Sequence, residues 1–368
     1  MELRHAAGSL MVAGLAGTEL TGVERAWLRL IRPVGIILFR RNIESPPQTR
    51  ALLDQSTPLC APSALRCVDL EGGSVDRLRD ALAPMPSAQA VALAARIAGR
   101  PQLAFQHGQL IARAVRAFGF NATLAPVLDL GLPISASVMG SRTAGEAPAD
   151  VIAYARPFLA ALAEAGILGC GKHFPGLGSG TLDSHLATPS IERAPAELLR
   201  SDLLPYCELA AELPMVMVSH AAYPRTPSRD LPASISRYWL RTVLRERIGY
   251  TGLIFSDDLE MGGILNFLPI EEAAVAAIRA GTDLIEICHS PELILRAYEA
   301  LLCEAERSRA FRSLLLARAK RVQRMRLQRT AKRSTPAPSL PQLDALRTRI
   351  QRFAAQISTL IAQETARA

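Results

Sequence analysis

The chain has 368 residues, enough for one large α/β domain with a sizeable core or for two smaller domains. Hydrophobic residues make up 49% and aromatics only 5%, which predicts an aliphatic, alanine-rich core and favours helix-on-sheet packing over a β-sandwich. The net charge of +8 does not mark a nucleic-acid binder: residues 307–333 hold eleven Lys or Arg and no Asp or Glu, and removing those eleven charges leaves −3 for the rest.

Taken in chain order, eight short apolar runs stand out, at residues 11–15, 35–39, 65–68, 123–126, 167–170, 215–219, 252–255 and 284–288. Stretches with helical patterning, such as 147–164, 194–212 and 270–280, lie between them. Strands alternating with helices imply βα units and a parallel sheet, and eight such units predict a TIM-type (β/α)8 barrel, with an open doubly wound sheet as the alternative. The expected organisation is a catalytic barrel over 1–306, a basic helical segment over 307–333, a Pro- and Ser-rich linker over 334–341 and an amphipathic helix over 342–368. The basic segment reads as a solvated helix face, with nucleic acid or an anionic surface as the alternative partner. The terminal helix is expected to dock on the barrel or on a partner subunit.

The six cysteines form no CxxC pair, which fits a reducing compartment better than a disulfide framework. The N-terminus lacks the pattern of a signal peptide, and no segment is apolar enough over about 18 residues to span a membrane. The expectation is a soluble cytoplasmic protein.

Titratable groups gather where the apolar runs end. Run three is followed by Asp69 and Glu71, run five by Lys172 and His173, run six by His220, run seven by Asp257 and Asp258, and run eight by His289. In a barrel all these ends share one face, so five of them converging on ionisable residues marks a site. The densest stretch is Lys172-His173-Phe174-Pro175-Gly176 with Asp183-Ser184-His185 downstream, which holds two of the six histidines in the chain.

That stretch is similar to the signature of glycoside hydrolase family 3, in the branch of bacterial β-N-acetylhexosaminidases (β-N-acetylglucosaminidases). Further landmarks follow the same order: Val68-Asp69-Leu70-Glu71-Gly72-Gly73, Leu124-Ala125-Pro126-Val127-Leu128-Asp129, Met139-Gly140-Ser141-Arg142, Val218-Ser219-His220 with Tyr223-Pro224, and Phe255-Ser256-Asp257-Asp258-Leu259-Glu260-Met261. The resemblance spans roughly residues 8–305. It implies a retaining exo-β-N-acetylglucosaminidase that acts on cell-wall-derived glycans in peptidoglycan recycling.

Retaining hydrolysis needs a carboxylate to attack C1 and a proton donor for the leaving oxygen. Asp257 matches the family nucleophile, held ionised by nearby donors or cations such as Lys172, His173 or Arg142. Asp258 is expected to point elsewhere, because strand side chains alternate. His185 matches the proton donor of this branch and Asp183 the residue that orients and charges it, a pairing with the logic of a catalytic triad. Asp69, Arg142, Lys172 and His173 match sugar-binding positions, where ionised partners make the stronger hydrogen bonds to hydroxyls. His220 and His289 read equally as buried or supporting histidines and as ligand contacts. The resemblance implies no cofactor and no metal; the substrate is a small oligosaccharide or muropeptide, with no nucleic-acid partner.

Three residues depart from the family pattern: Leu70 where Gln is usual, Ser74 where a larger residue such as Arg follows the Gly pair, and Leu177 where a second histidine is common. Three other readings are open. A phosphorylase would use phosphate in place of water, a non-catalytic relative would only bind sugar, and a metal hydrolase would use His173, Asp183 and His185 at a spacing that matches no common zinc pattern.

Overall fold

Eight parallel strands form the centre of the molecule: β1 (Met11–Gly14), β2 (Gly35–Leu38), β3 (Leu65–Val68), β4 (Ala122–Thr123), β5 (Cys170–Phe174), β6 (Met215–Val218), β7 (Leu253–Asp258) and β8 (Leu284–Ile287). The computed structural model describes residues 2–184, 186–329 and 336–366. The strands pair in the order β4-β3-β2-β1-β8-β7-β6-β5. The two ends of that order meet through backbone bonds, Thr123 N to Leu168 O at 2.9 Å and Cys170 N to Ala125 O at 2.8 Å. The sheet therefore curls on itself into the TIM-type barrel that the alternating pattern predicts.

All eight apolar runs coincide with strands or overlap them, because only aliphatic side chains can fill a sheet buried on both faces. Two boundaries move. The fifth strand continues to Phe174, so Lys172 and His173 lie on the strand itself and not in the loop beyond it. The seventh runs to Asp258 and carries both aspartates. Polar side chains escaped the apolar pattern because the upper barrel interior is a ligand cavity, not packed core.

Helices cover the outside. Gly22–Ile31 starts with a capping box, Thr21 accepting from Glu24 N while Glu24 accepts from Thr21 N, an arrangement that contributes about 1 kcal/mol. The helix Arg309–Arg329 buries Phe311, Leu315, Ala319 and Val322 against the barrel. Its basic face is not wholly solvated: Arg318 and Arg321, with Arg245, converge on the fully buried Asp283 just before β8. The helix Leu340–Thr365 buries Leu343, Leu346, Ile350, Phe353 and Ile357, with Phe353 stacked on His107 at 6.1 Å between ring centres. Much of the segment between these helices, 330–335, lies outside the described residues. Cys60, Cys67, Cys170 and Cys288 are buried free thiols, and Cys207 and Cys303 exposed ones. No helix among the described residues is long and apolar enough to cross a membrane.

Candidate active site

At the C-terminal mouth of the barrel a cavity of about 460 Å³ is bordered by Asp69, Arg142, Lys172, His173, Asp183, Asp257 and Asp258. Every sequence-predicted site residue that the structure describes is in this group. His185 lies outside the described residues.

The β3 side is built by a tight reversal. After Asp69 the chain forms a short hairpin, Leu70–Gly72 against Val75–Asp76, turned by Gly72 and Gly73. Gly72 sits at φ 95°, and a side chain there would meet the Pro86 carbonyl oxygen at 2.2 Å, so only glycine fits. Asp69 and Glu71, two residues apart in extended chain, thereby face the same way. Both reach the Lys172 ammonium on β5, at 2.8 and 2.7 Å. Arg142 grips Glu71 with both arms, Nε at 2.9 Å and Nη2 at 2.8 Å.

Charge pairing of this quality decides the protonation states. Burial pushes the Glu71 carboxyl up, but Arg142 and Lys172 outweigh it and hold it below its usual range. Asp69 is likewise driven up by burial and then held well below the carboxylate range by Lys172 and Arg77. Burial works against the Lys172 charge, yet Asp69 and Glu71 more than compensate and raise its pKa. Asp69 and Glu71 are therefore anions and Lys172 a cation across the physiological range.

His173 is fixed by a further buried acid. Fully buried Asp129 accepts from His173 N at 3.1 Å, meets His173 Nδ1 at 2.7 Å and accepts from Leu177 N at 2.7 Å. One carboxylate thus aims the imidazole and pins the start of the following loop. Leu177 is buried, with its backbone N–H held by Asp129. Neighbouring Gly176 has φ 133°, and a side chain there would strike Asp202.

The loop over 175–190 crosses to the β7 side. Ser184 O accepts from Gly263 N at 2.9 Å, Thr188 Oγ1 donates to Gly263 O at 2.7 Å, and Asn266 donates to Leu186 O at 3.0 Å. Residues on both flanks of position 185 are therefore tied to the segment that follows Asp257. Asp183 is exposed at the cavity edge.

The nucleophile candidate departs from expectation in its surroundings. Lys172, Arg142 and His173 are engaged by Asp69, Glu71 and Asp129, and among the described residues Asp257 Oδ1 accepts from Asp258 N at 3.0 Å. Asp258 does not point away from the cavity. Phe255 pairs with Leu284 and Asp258 with Glu286, so three residues of β7 face two of β8, and the extra residue breaks the alternation. Burial pushes the Asp258 carboxyl up to about 7; the Glu260 backbone N–H opposes this and the Glu260 charge adds to it.

Asp258, Glu260 and His289 bring ligand-type atoms within 4.8 Å of one another. Glu260 accepts backbone N–H groups from Cys288, His289 and Ser290, and His289 stacks on Phe39, so the cluster is the anchor of the loop after β8. His220 is wholly buried, between Ser234 Oγ at 2.7 Å and Asp258 O at 3.0 Å, as a supporting histidine.

Glu71, Asp129 and Glu286 are residues of the site whose roles the motif reading passed over. The first two stand inside recognised landmarks, where an acid close to a strand end was itself the signal. Glu286 stands between two isoleucines in a buried strand, and a lone carboxyl in such a run is a readable anomaly.

Paired acids and fixed cations line the mouth of a closed (β/α)8 barrel, a setting suited to binding and cleaving a polar ligand. Residues 8–325 match the glycosyl hydrolase family 3 N-terminal domain, and the chain belongs to that family. It is 41% identical over 290 residues to a β-hexosaminidase of Alkalilimnicola ehrlichii, covering 78% of this chain and 82% of that one. A β-hexosaminidase of Pseudomonas aeruginosa is 39% identical over 297 residues, 80% and 87% of the two chains. Among solved structures, native NagZ from Neisseria gonorrhoeae superimposes with a TM-score of 0.76 at 30% identity, over 96% of this chain and 97% of that one. A family 3 β-N-acetylglucosaminidase from Paenibacillus sp. str. FPU-7 gives 0.85 at 30% identity, over 96% and 69%. The family, barrel and hydrolase class expected from the motifs are thereby borne out.

Proposed function

We propose that the protein is a cytoplasmic, retaining exo-β-N-acetylglucosaminidase that releases terminal N-acetylglucosamine from cell-wall-derived glycans such as muropeptides in peptidoglycan recycling. The observation that carries this reading is the convergence of Asp69, Arg142, Lys172, His173, Asp183 and Asp257 on one cavity. It is supported by kinship with NagZ of Neisseria gonorrhoeae, which has also been solved in complex with N-trifluoroacetyl-D-glucosamine.

In this reading the β3–β5 side grips sugar hydroxyls. Its charges are already paired and rigid, so little ordering is needed when substrate arrives. Asp257 attacks C1, and His185, oriented by Asp183, protonates the departing glycosidic oxygen. A water molecule, deprotonated by the same histidine, then hydrolyses the glycosyl-enzyme bond. The test is incubation with an aryl N-acetyl-β-glucosaminide, with and without phosphate. Free N-acetylglucosamine with retained anomeric configuration supports the reading; a sugar 1-phosphate replaces hydrolysis with phosphorolysis, and sugar binding without turnover reduces the protein to a lectin-like relative.

A further inference from the structure

Glu286 lies in the middle of β8 and lines the cavity together with Leu124, just after β4, and Met217 of β6. Each of the three is only 2% exposed. Even-numbered strands of such a barrel contribute to a common interior layer, normally filled by branched apolar side chains. Leucine or methionine satisfies packing there; a carboxyl does not.

The carboxyl is also poorly partnered. The Cys288 thiol, 3.5 Å from Oε1, is its one side-chain hydrogen-bond partner among the described residues. The groups that act most strongly on it are Asp258 and Asp257 of β7, Asp69 just after β3 and the Cys288 thiol just beyond its own strand, with the Cys67 and Cys170 thiols also in electrostatic reach; Lys172, Arg41 and Arg77 line the same cavity. Burial first, and then the charges of Asp258, Asp69 and Asp257, push its pKa well above the usual carboxylate range. Burying such a group without a strong partner costs folding free energy, and barrel packing gives no return for it.

We propose that the Glu286 carboxyl is a specificity-determining group that hydrogen-bonds a hydroxyl of the sugar lodged in this cavity, an inference that rests on reading the cavity as a sugar site. A protonated carboxyl donates once and accepts at its other oxygen, which matches a hydroxyl that does both. It adds no negative charge beside Asp257.

The test compares wild type, Glu286→Leu and Glu286→Gln on 4-nitrophenyl glycosides of N-acetyl-β-glucosamine, β-glucose and β-xylose. Glu286→Leu fits the apolar layer and is expected to raise Tm while lowering kcat/KM about tenfold or more, mostly through KM. Glu286→Gln keeps a donor and an acceptor and is expected to recover most of that loss. Stability and activity moving in opposite directions, with rescue by the amide, is the result that a packing role does not produce. Wild-type kcat/KM in Glu286→Leu, or equal losses of Tm and activity in both variants, overturns the inference. A wild type that cleaves one of the other glycosides and not the N-acetylglucosaminide overturns the proposed function alone, with Glu286 then read on the glycoside it does cleave; a wild type inert on all three overturns both.

Discussion

The two flanks of the cavity are built on opposite electrostatic plans. On the β3–β5 side, Asp69, Glu71 and Asp129 are matched by Lys172, Arg142 and His173 at hydrogen-bonding distances, all buried or nearly so. On the β7–β8 side, Asp257, Asp258 and Glu286 share a wall with looser pairing, His289 Nε2 lying 3.7 Å from Asp258 Oδ2, and Asp258 and Glu286 are pushed toward holding protons. The first plan gives rigid, mutually paired groups suited to gripping a polar ligand. The second leaves carboxyls whose charge responds to what occupies the cavity, which is what a reacting centre requires. In the proposed function, binding and chemistry divide between the two sides of the barrel mouth, with the segments on both flanks of position 185 tied across to the β7 side.

The sharpest way to break this division is Asp257→Ala. It is expected to lower kcat on an aryl N-acetylglucosaminide by about 10³-fold or more, with KM little changed, read by steady-state kinetics. A loss confined to KM would move Asp257 to the gripping side. Next in size is His185→Ala, expected to cost about 10²–10⁴-fold on substrates with poor leaving groups and less on activated aryl glycosides. Equal losses on both would refute a proton-donor role.

Glu71→Gln probes the other flank. It leaves Lys172 and Arg142 without their shared anion, and breaking such a buried pair is expected to lower stability by about 3 kcal/mol, seen in denaturant unfolding, together with a raised KM. A change in kcat with KM and stability intact would place Glu71 in the chemistry instead.

The smallest effect is a pH dependence. Asp258 is held at about 7 when folded, against an ordinary 3.8. The stability this contributes is fully present below about pH 4 and is lost as pH rises through 7. Asp258→Asn lacks that loss, so its stability relative to wild type is expected to improve between pH 5 and pH 8, by a few kcal/mol at most. A difference independent of pH would show that Asp258 is ionised throughout and that the β7–β8 flank is balanced after all.

Much of this architecture is legible in the linear chain. Buried parallel strands demand largely apolar runs, so β1, β2, β3, β6 and β8 stand out at almost their observed bounds. The motifs that carry Asp69, Arg142, Lys172, His173 and Asp257 are contiguous, which is why they can be read without the fold. Contacts between distant segments are not of that kind. Asp129 and His173 are 44 residues apart, and Glu71 and Arg142 are 71 apart, so nothing local announces either pair. The same holds for Asp283, whose partners Arg318 and Arg321 turn part of an apparently solvated basic stripe into a clamp on the barrel base.

Sequence alone determined the class of fold, the strands that build it and the set of ionisable groups at its mouth, because periodicity and motif are local properties of the chain. Tertiary structure decided which cations are already taken, that the extra residue in β7 turns Asp258 toward the cavity, and that Glu286 replaces an apolar side chain in the barrel floor. Those outcomes depend on register, burial and the local dielectric, which exist only once the strands have closed around a common axis.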